Sequence, residues 1–244
     1  MTSELCIDAP QHIIHLLRKL HDLSAEQEAK LKGNATRFVS TDVLGPGAPN
    51  KDSNFDDLMR DKFIALDEDK CHFVYQLIRA TGATNVIEAG TSFGVSTIYL
   101  ALAVAENKKR LGDQSRPGVI ATENEPEKAT RARQHWKECG PVVEKEIDLR
   151  EGNLLETLSK DVEDGVDLLL LDIWTPLALP TLKLIQPKLT PQAVVLSDNV
   201  TMAASGYQEF FEYIKAPNSG FRTLTLPYLG GFEMTIYDPK EQQS

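Results

Sequence analysis

Two apolar runs in the C-terminal half of the chain close on oxygen-bearing side chains. VDLLLLD ends in Asp172, and AVVLSDN ends in Asp198 and Asn199. A buried strand gains nothing in folding from a carboxylate at its tip, because an acid taken out of water costs free energy unless it is paired. A second group lies upstream in VIEAGTSFGVS, which sets Glu88, Gly90, Ser92, Gly94 and Ser96 at a strand-to-helix turn. Its glycines permit a tight turn and close backbone approach, and the helix N-terminus beyond offers unpaired N–H groups to a carboxylate or phosphate. The spacing is G-x-x-x-G, not the dinucleotide G-x-G-x-x-G, and a turn without a ligand reads the same way. Glu123 closes the next run, GVIATE. An acid at the tip of a second strand can accept hydrogen bonds from ribose hydroxyls, although an acid opening a helix also answers the helix dipole. Turn and acid together point to a nucleoside-containing cofactor.

Residues so far apart in sequence meet only if a scaffold gathers strand ends. From Asn85 onward strand patterns (NVIEAG, GVIATE, KEIDLREG, VDLLLLD, AVVLSD) alternate with helical ones, and FRTLTLP and FEMTIYD close the chain with no helix between them. This grammar predicts a doubly wound α/β domain with a parallel sheet and one antiparallel edge. The unbroken apolar runs suit strands covered on both faces. Ligands of such sheets sit outside the carboxyl ends of the strands, where the unusual residues cluster. Before this domain, Pro10 to Leu31 carries Ile13, Ile14, Leu16, Leu17, Leu20 and Leu23 at helical spacing. The turn-rich GPGAPNKDSN follows, so residues 1–54 read as an N-terminal helical extension or lid and 55–244 as the main domain. A further helical pattern covers roughly Phe55 to Ala80, with a break near Leu66 and Asp67.

At 244 residues and 41% hydrophobic the chain can bury a full core. Its formal charge of -10 leaves no basic stripe for nucleic acid or an anionic membrane. Three scattered cysteines, no secretory leader pattern and no apolar run of membrane-spanning length lead to the expectation of a soluble cytoplasmic protein without disulfides, and the apolar helical face of the N-terminal extension to that of a possible homodimer.

From about Phe55 to Pro239 the chain resembles the catechol O-methyltransferase-like family of S-adenosylmethionine-dependent enzymes. VIEAGTSFGVSTIYLA, ATENEP, LLLLDIWTP, LSDNV and GGFEMTIY occur in the family's order and at compatible spacing. The resemblance implies a class I, Rossmann-like methyltransferase fold, seven-stranded with an antiparallel edge strand. It implies a cofactor cradle of Glu88, Gly90, Ser92, Gly94 and Ser96, with Ser96 near the methionine carboxylate, Glu123 on the ribose, Asn153 near the adenine and Asp172 on the cofactor side. Leu66 and Lys70 fall where the family's lid approaches the cofactor. Asp172, Asp198 and Asn199 match the positions that hold Mg²⁺ in metal-dependent members, a set of hard oxygen donors. A metal on vicinal hydroxyls lowers the pKa of one and fixes its oxygen near the methyl group. Glu233 matches a position that hydrogen-bonds a substrate hydroxyl, so Asp172 and Glu233 are the expected catalytic carboxylates. Trp174, Asn199 and Tyr228 are expected along the acceptor, with Met202 and Tyr207 nearby.

One position departs from the pattern. The metal-dependent enzymes commonly carry D-x-W-K, whereas this chain reads Asp172-Ile173-Trp174-Thr175. The missing Lys can serve as a base, an effect worth about 10²–10⁴-fold. Lys70, His12, His15 and His72 are the candidates to compensate. The expected activity is methyl transfer to a hydroxyl of a small aromatic or vicinal-diol acceptor, probed against three rivals. These are a metal-independent N- or S-methyltransferase, a non-catalytic cofactor binder, and, less well supported, a nicotinamide oxidoreductase.

Overall fold

The computed structural model describes residues 6–34, 63–113 and 116–239. The proposed boundary at residue 54 and the start of the second helical pattern lie outside them. Seven strands, β1 (Val86–Ala89), β2 (Val119–Glu123), β3 (Ile147–Glu151), β4 (Val166–Leu171), β5 (Leu189–Asp198), β6 (Phe221–Leu226) and β7 (Phe232–Tyr237), form one sheet in the order β3-β2-β1-β4-β5-β7-β6. The first five pair in parallel. β7 runs antiparallel between β5 and β6, which leaves β6 at the edge. The order reverses between β1 and β4, and there the crevice that takes ligands in such sheets opens.

The helices are α1 (Gln11–Asn34), α2 (Glu68–Thr81), α3 (Val95–Leu111), α4 (Pro126–Cys139), α5 (Pro141–Glu144), α6 (Leu154–Thr157), α7 (Thr175–Ile185) and α8 (Gln208–Ile214). Every residue of β1 is buried, as are all but one of β4, as their apolar sequences require of strands covered twice. One core lies between the sheet and α1 to α4, and the other between the sheet and α7 and α8. α3 is buried along most of its length, and its alanines at 101 and 103 let it lie close between the sheet and the outer helices.

α1 carries out the packing its periodicity predicts. Ile13, Ile14, Leu16, Leu17 and Leu20 are buried in the first core, each such side chain contributing about 1.5–3 kcal/mol. Its polar residues then fix the segment that enters α2. Gln27 Oε1 accepts from Phe63 N at 2.8 Å and Ser24 Oγ from Ala65 N at 3.0 Å. The strap of residues 63–66 therefore hangs from α1 and crosses the turn after β1. Among the described residues no helix is long and apolar enough to cross a membrane.

Candidate active site

The turn after β1 is built by close approach. Gly90 has φ 92°, and a Cβ there would stand 2.1 Å from the Asp172 carbonyl oxygen and 2.7 Å from Ile173 Cγ2. Glycine thus lets the tips of β1 and β4 touch, with Asp172 N donating to Ala89 O at 3.0 Å. Gly94, also at positive φ, makes room for the indole of Trp136, whose Nε1 donates to Gly94 O at 3.0 Å.

Beneath the turn lies Glu88, fully buried. It accepts from the hydroxyls of Thr91 (2.8 Å), Ser96 (2.6 Å) and Thr97 (2.5 Å). Burial raises its pKa, and the three donors hold it partly back. Glu88 therefore shapes the turn from below, and the Ser96 hydroxyl expected to meet a ligand is donated to Glu88, although Ser96 still lines the cleft. Thr91 and Thr97 were not singled out in the sequence; hydroxyl residues following a strand-borne acid were the available signal.

Glu123 stands beside the same turn at the tip of β2. Its Oε2 accepts from Ser92 N at 2.7 Å and its Oε1 from Glu125 N at 2.8 Å. Burial raises its pKa against these bonds. Leu66, with Ile64 and Ala65 of the strap, forms the opposite wall of a narrow cleft whose floor is Gly90, Ser96 and Asp172. The expected cradle is thus brought together, apart from Asn153. That side chain caps α6, its Oδ1 accepting from Leu155 N at 3.0 Å.

At the next two strand tips the acids meet, and a cation comes with them. The Lys70 ammonium, 1% exposed, lies 2.7 Å from Asp198 Oδ1 and 2.8 Å from Asp67 Oδ2. Asp198 Oδ2 accepts from Asn199 Nδ2 at 3.0 Å, and the Asp198 carbonyl accepts from Tyr207 OH at 2.9 Å. Burial opposes the charge on Lys70, but its bonds to Asp198 and Asp67 outweigh that and set its pKa above the ordinary value. Asp172 shows the reverse balance. Burial, then the neighbouring charges of Asp198 and Glu88, push its carboxyl well above the usual range, with Lys70 pulling only partly against them. Asp198 is raised too, first by burial, with Lys70 opposing.

Other expected residues lie elsewhere. Thr175, in the place of the family's Lys, packs against the backbone of Gly206, where a Cβ would stand 2.0 Å from its Oγ1. The His12 ring lies 3.4 Å from the Cys139 carbonyl, His15 is exposed on α1, and His72 packs edge-on against Tyr99. Of the compensating candidates, Lys70 is the one that reaches the acids. Glu233 is buried, not solvent-facing, and both its oxygens accept from the hydroxyls of Thr223 and Thr225 on β6. It pairs with Ser197 of β5, and so lies on the sheet face opposite that of Asp198 and Phe232. Tyr207 is core. Tyr228, half-buried, packs on Phe73 and Phe232 at ring distances of 5.8 and 5.9 Å. Trp174, Met202 and Leu229 expose 52%, 65% and 75% of their surface on the loops after β4, β5 and β6, an apolar rim beside the acids.

The site therefore joins a glycine turn, a strand-tip acid and an acid pair at the switch point of a doubly wound sheet, the class of domain that binds a nucleoside-containing ligand at its strand ends. Residues 87–200 match the family described as "Methyltransferase domain". This central stretch, a little under half of the chain, is similar to a methyltransferase domain. Solved structures share the fold. An O-methyltransferase from Bacillus cereus, in complex with S-adenosylhomocysteine, superimposes with a TM-score of 0.64 at 18% identity, covering 90% of this chain and 100% of its own. TomG from Streptomyces achromogenes, an O-methyltransferase of tomaymycin synthesis bound to S-adenosylmethionine, gives 0.62 at 20%, covering 88% and 98%. The methyltransferase PaMTH1 from Podospora anserina, bound to S-adenosylhomocysteine, gives 0.59 at 17%, covering 87% and 96%. At these identities the likeness shows the fold alone. Among curated proteins no sequence match was found.

Proposed function

We propose that this protein transfers the methyl group of S-adenosylmethionine to a hydroxyl of a small acceptor with an aromatic or otherwise apolar body. The observation that carries this reading is the cleft lined by the Gly90 turn and Asp172, with Glu123 at the neighbouring strand tip bonded to the same turn. The cofactor-bound O-methyltransferases that share the fold support the choice of donor and of oxygen as acceptor. The apolar rim of Trp174, Met202 and Leu229 supports an acceptor with a hydrophobic body.

In this reading the glycine turn and Glu123 bind the cofactor, and the strap closes water out. The acceptor oxygen attacks the methyl carbon in line with the departing sulfur. A new C–O bond forms as the C–S bond breaks, leaving S-adenosylhomocysteine. Holding the two reactants at contact supplies most of the acceleration. Asp172, which lines the cleft beside the glycine turn, is the carboxylate assigned to receive the hydroxyl proton.

The Mg²⁺ expected from the resemblance meets, in Asp198, a carboxylate that is already engaged. Both oxygens of Asp198 have partners, Lys70 and Asn199. The Asn199 side-chain oxygen Oδ1 lies beside Gly230, 2.7 Å from where a Cβ there would stand. Among the described residues no three His, Cys, Asp or Glu side chains group to hold a metal. No step is therefore assigned to a metal.

The test is incubation with radiolabelled S-adenosylmethionine and a panel of catechols, phenols, amines and thiols, with product identified by mass spectrometry. O-methylated product is expected. Failure to bind S-adenosylhomocysteine, or transfer to amines or thiols alone, sinks the reading.

A further inference from the structure

We infer that the Lys70 ammonium is the resident cation of the acid pair, in the role a divalent metal would otherwise fill, so that this chain holds no Mg²⁺ between Asp172 and Asp198. The inference rests on the methyltransferase reading for what the site does, but its geometry stands independently. Lys70 is almost wholly buried, its Nζ stands over the Phe232 ring at 5.9 Å from the centroid, and its ammonium bridges Asp198 and Asp67. A buried Lys is retained only when paired, and here it has carboxylates on two sides. Mg²⁺ binds oxygens at about 2.0–2.1 Å in near-octahedral order and gives up its water reluctantly. To enter, it would have to share Asp198 Oδ1 with an ammonium, placing two cations a few ångströms apart where screening is weak. It would also have to turn Asn199, whose amide nitrogen faces the same carboxylate.

The cation also arrives from a different element than the sequence pattern suggests. The position after Trp174 holds Thr175, packed away against Gly206. The positive charge enters instead from α2, one turn after Asp67. Its place beside Asp198 suits a positioning role, in which it holds the carboxylates in register and supports negative charge as it grows on the acceptor oxygen.

The experiment is Mn²⁺ titration followed by electron paramagnetic resonance, on the full chain with S-adenosylhomocysteine, with binding of S-adenosylhomocysteine measured separately by calorimetry. Wild type is expected to bind no stoichiometric Mn²⁺. Lys70→Met, which keeps the stem and removes the charge, is expected to gain a site that Asp198→Asn in the same background abolishes. Stoichiometric Mn²⁺ on wild type, lost in Asp198→Asn, overturns the inference. So does a Lys70→Met protein that binds S-adenosylhomocysteine normally and still takes no Mn²⁺. If Lys70→Met fails to fold, Lys70→Gln is read in its place, and the wild-type titration alone can overturn the inference. Absence of S-adenosylhomocysteine binding by wild type would instead count against the methyltransferase reading, leaving the Mn²⁺ comparison to be made without it.

Discussion

Replacing Gly90 by alanine tests the contact on which the whole site depends. Two costs are expected. Alanine at positive φ costs about 1–2 kcal/mol, and the new Cβ would lie 2.1 Å from the Asp172 carbonyl oxygen. That neighbour is backbone and cannot rotate away, so β1 and β4 must part, an overpacking cost of about 1–3 kcal/mol. The sum is roughly 2–5 kcal/mol, a large share of the about 5–15 kcal/mol that holds most domains together. Gly112 is the internal control: its φ is 72°, and a Cβ there meets nothing within 4 Å. Gly112→Ala should therefore cost only the first amount, about 1–2 kcal/mol. It also lies at the far end of the 17-residue α3, about 25 Å from the turn. Urea midpoints at constant slope give the two stabilities, and calorimetry gives S-adenosylhomocysteine affinity. Gly90→Ala should lose both stability and cofactor affinity, and Gly112→Ala should keep its affinity. Equal costs for the two variants would mean that the Asp172 carbonyl does not press on Gly90, and the placement of Asp172 beside the turn would fall with it.

Glu88→Gln leaves one acceptor oxygen for three buried hydroxyls. It should cost about 1–3 kcal/mol and weaken cofactor binding; unchanged unfolding midpoints would refute the role given to Glu88. Trp174→Ala should raise the acceptor's KM by roughly tenfold, about 1.4 kcal/mol, with S-adenosylhomocysteine affinity intact, and loss of both together would place Trp174 on the cofactor instead. His21 on α1 lies 3.0 Å from Tyr99 OH, and burial lowers its pKa from 6.5. Between that lowered value and 6.5 the unfolded chain binds more protons, so stability rises with pH in this window and is lost as pH falls through it. The protection factors of the α1 amides, corrected for the intrinsic pH dependence of exchange, should fall on acidification below 6.5, and His21→Leu should flatten the dependence; an equal slope in the variant would show that other groups carry it.

The strands were legible because buried parallel strands are written as continuous apolar runs, and VDLLLL and AVVLSD leave little else to be. The glycine turn and Glu123 were legible because topology sends strand tips to one edge, whatever lies between them. Strand order at the far edge was not: nothing in the alternation of FRTLTL and FEMTIY says that β7 inserts between β5 and β6. Partnership between distant polar groups was also hidden. Lys70 and Asp198 are 128 residues apart, and a Lys on a helix reads as solvated until the fold buries it. Glu233 carried a real signal, an acid within a strand, but Thr223 and Thr225 supply a local reason for it. Asn153 could have been read otherwise, since Asn before Leu-Leu-Glu is a helix cap.

The strap couples places that share no contact. Phe63 stacks on Phe93 at 4.6 Å, Ser92 Oγ donates to Ile64 O at 3.3 Å, and the other side of the strap hangs from Ser24 and Gln27 on α1. In the proposed methyltransferase reading, a cofactor lodged beneath the strap departs past this series of bonds, and a substitution on α1's buried face is expected to register first as a changed rate of S-adenosylhomocysteine release.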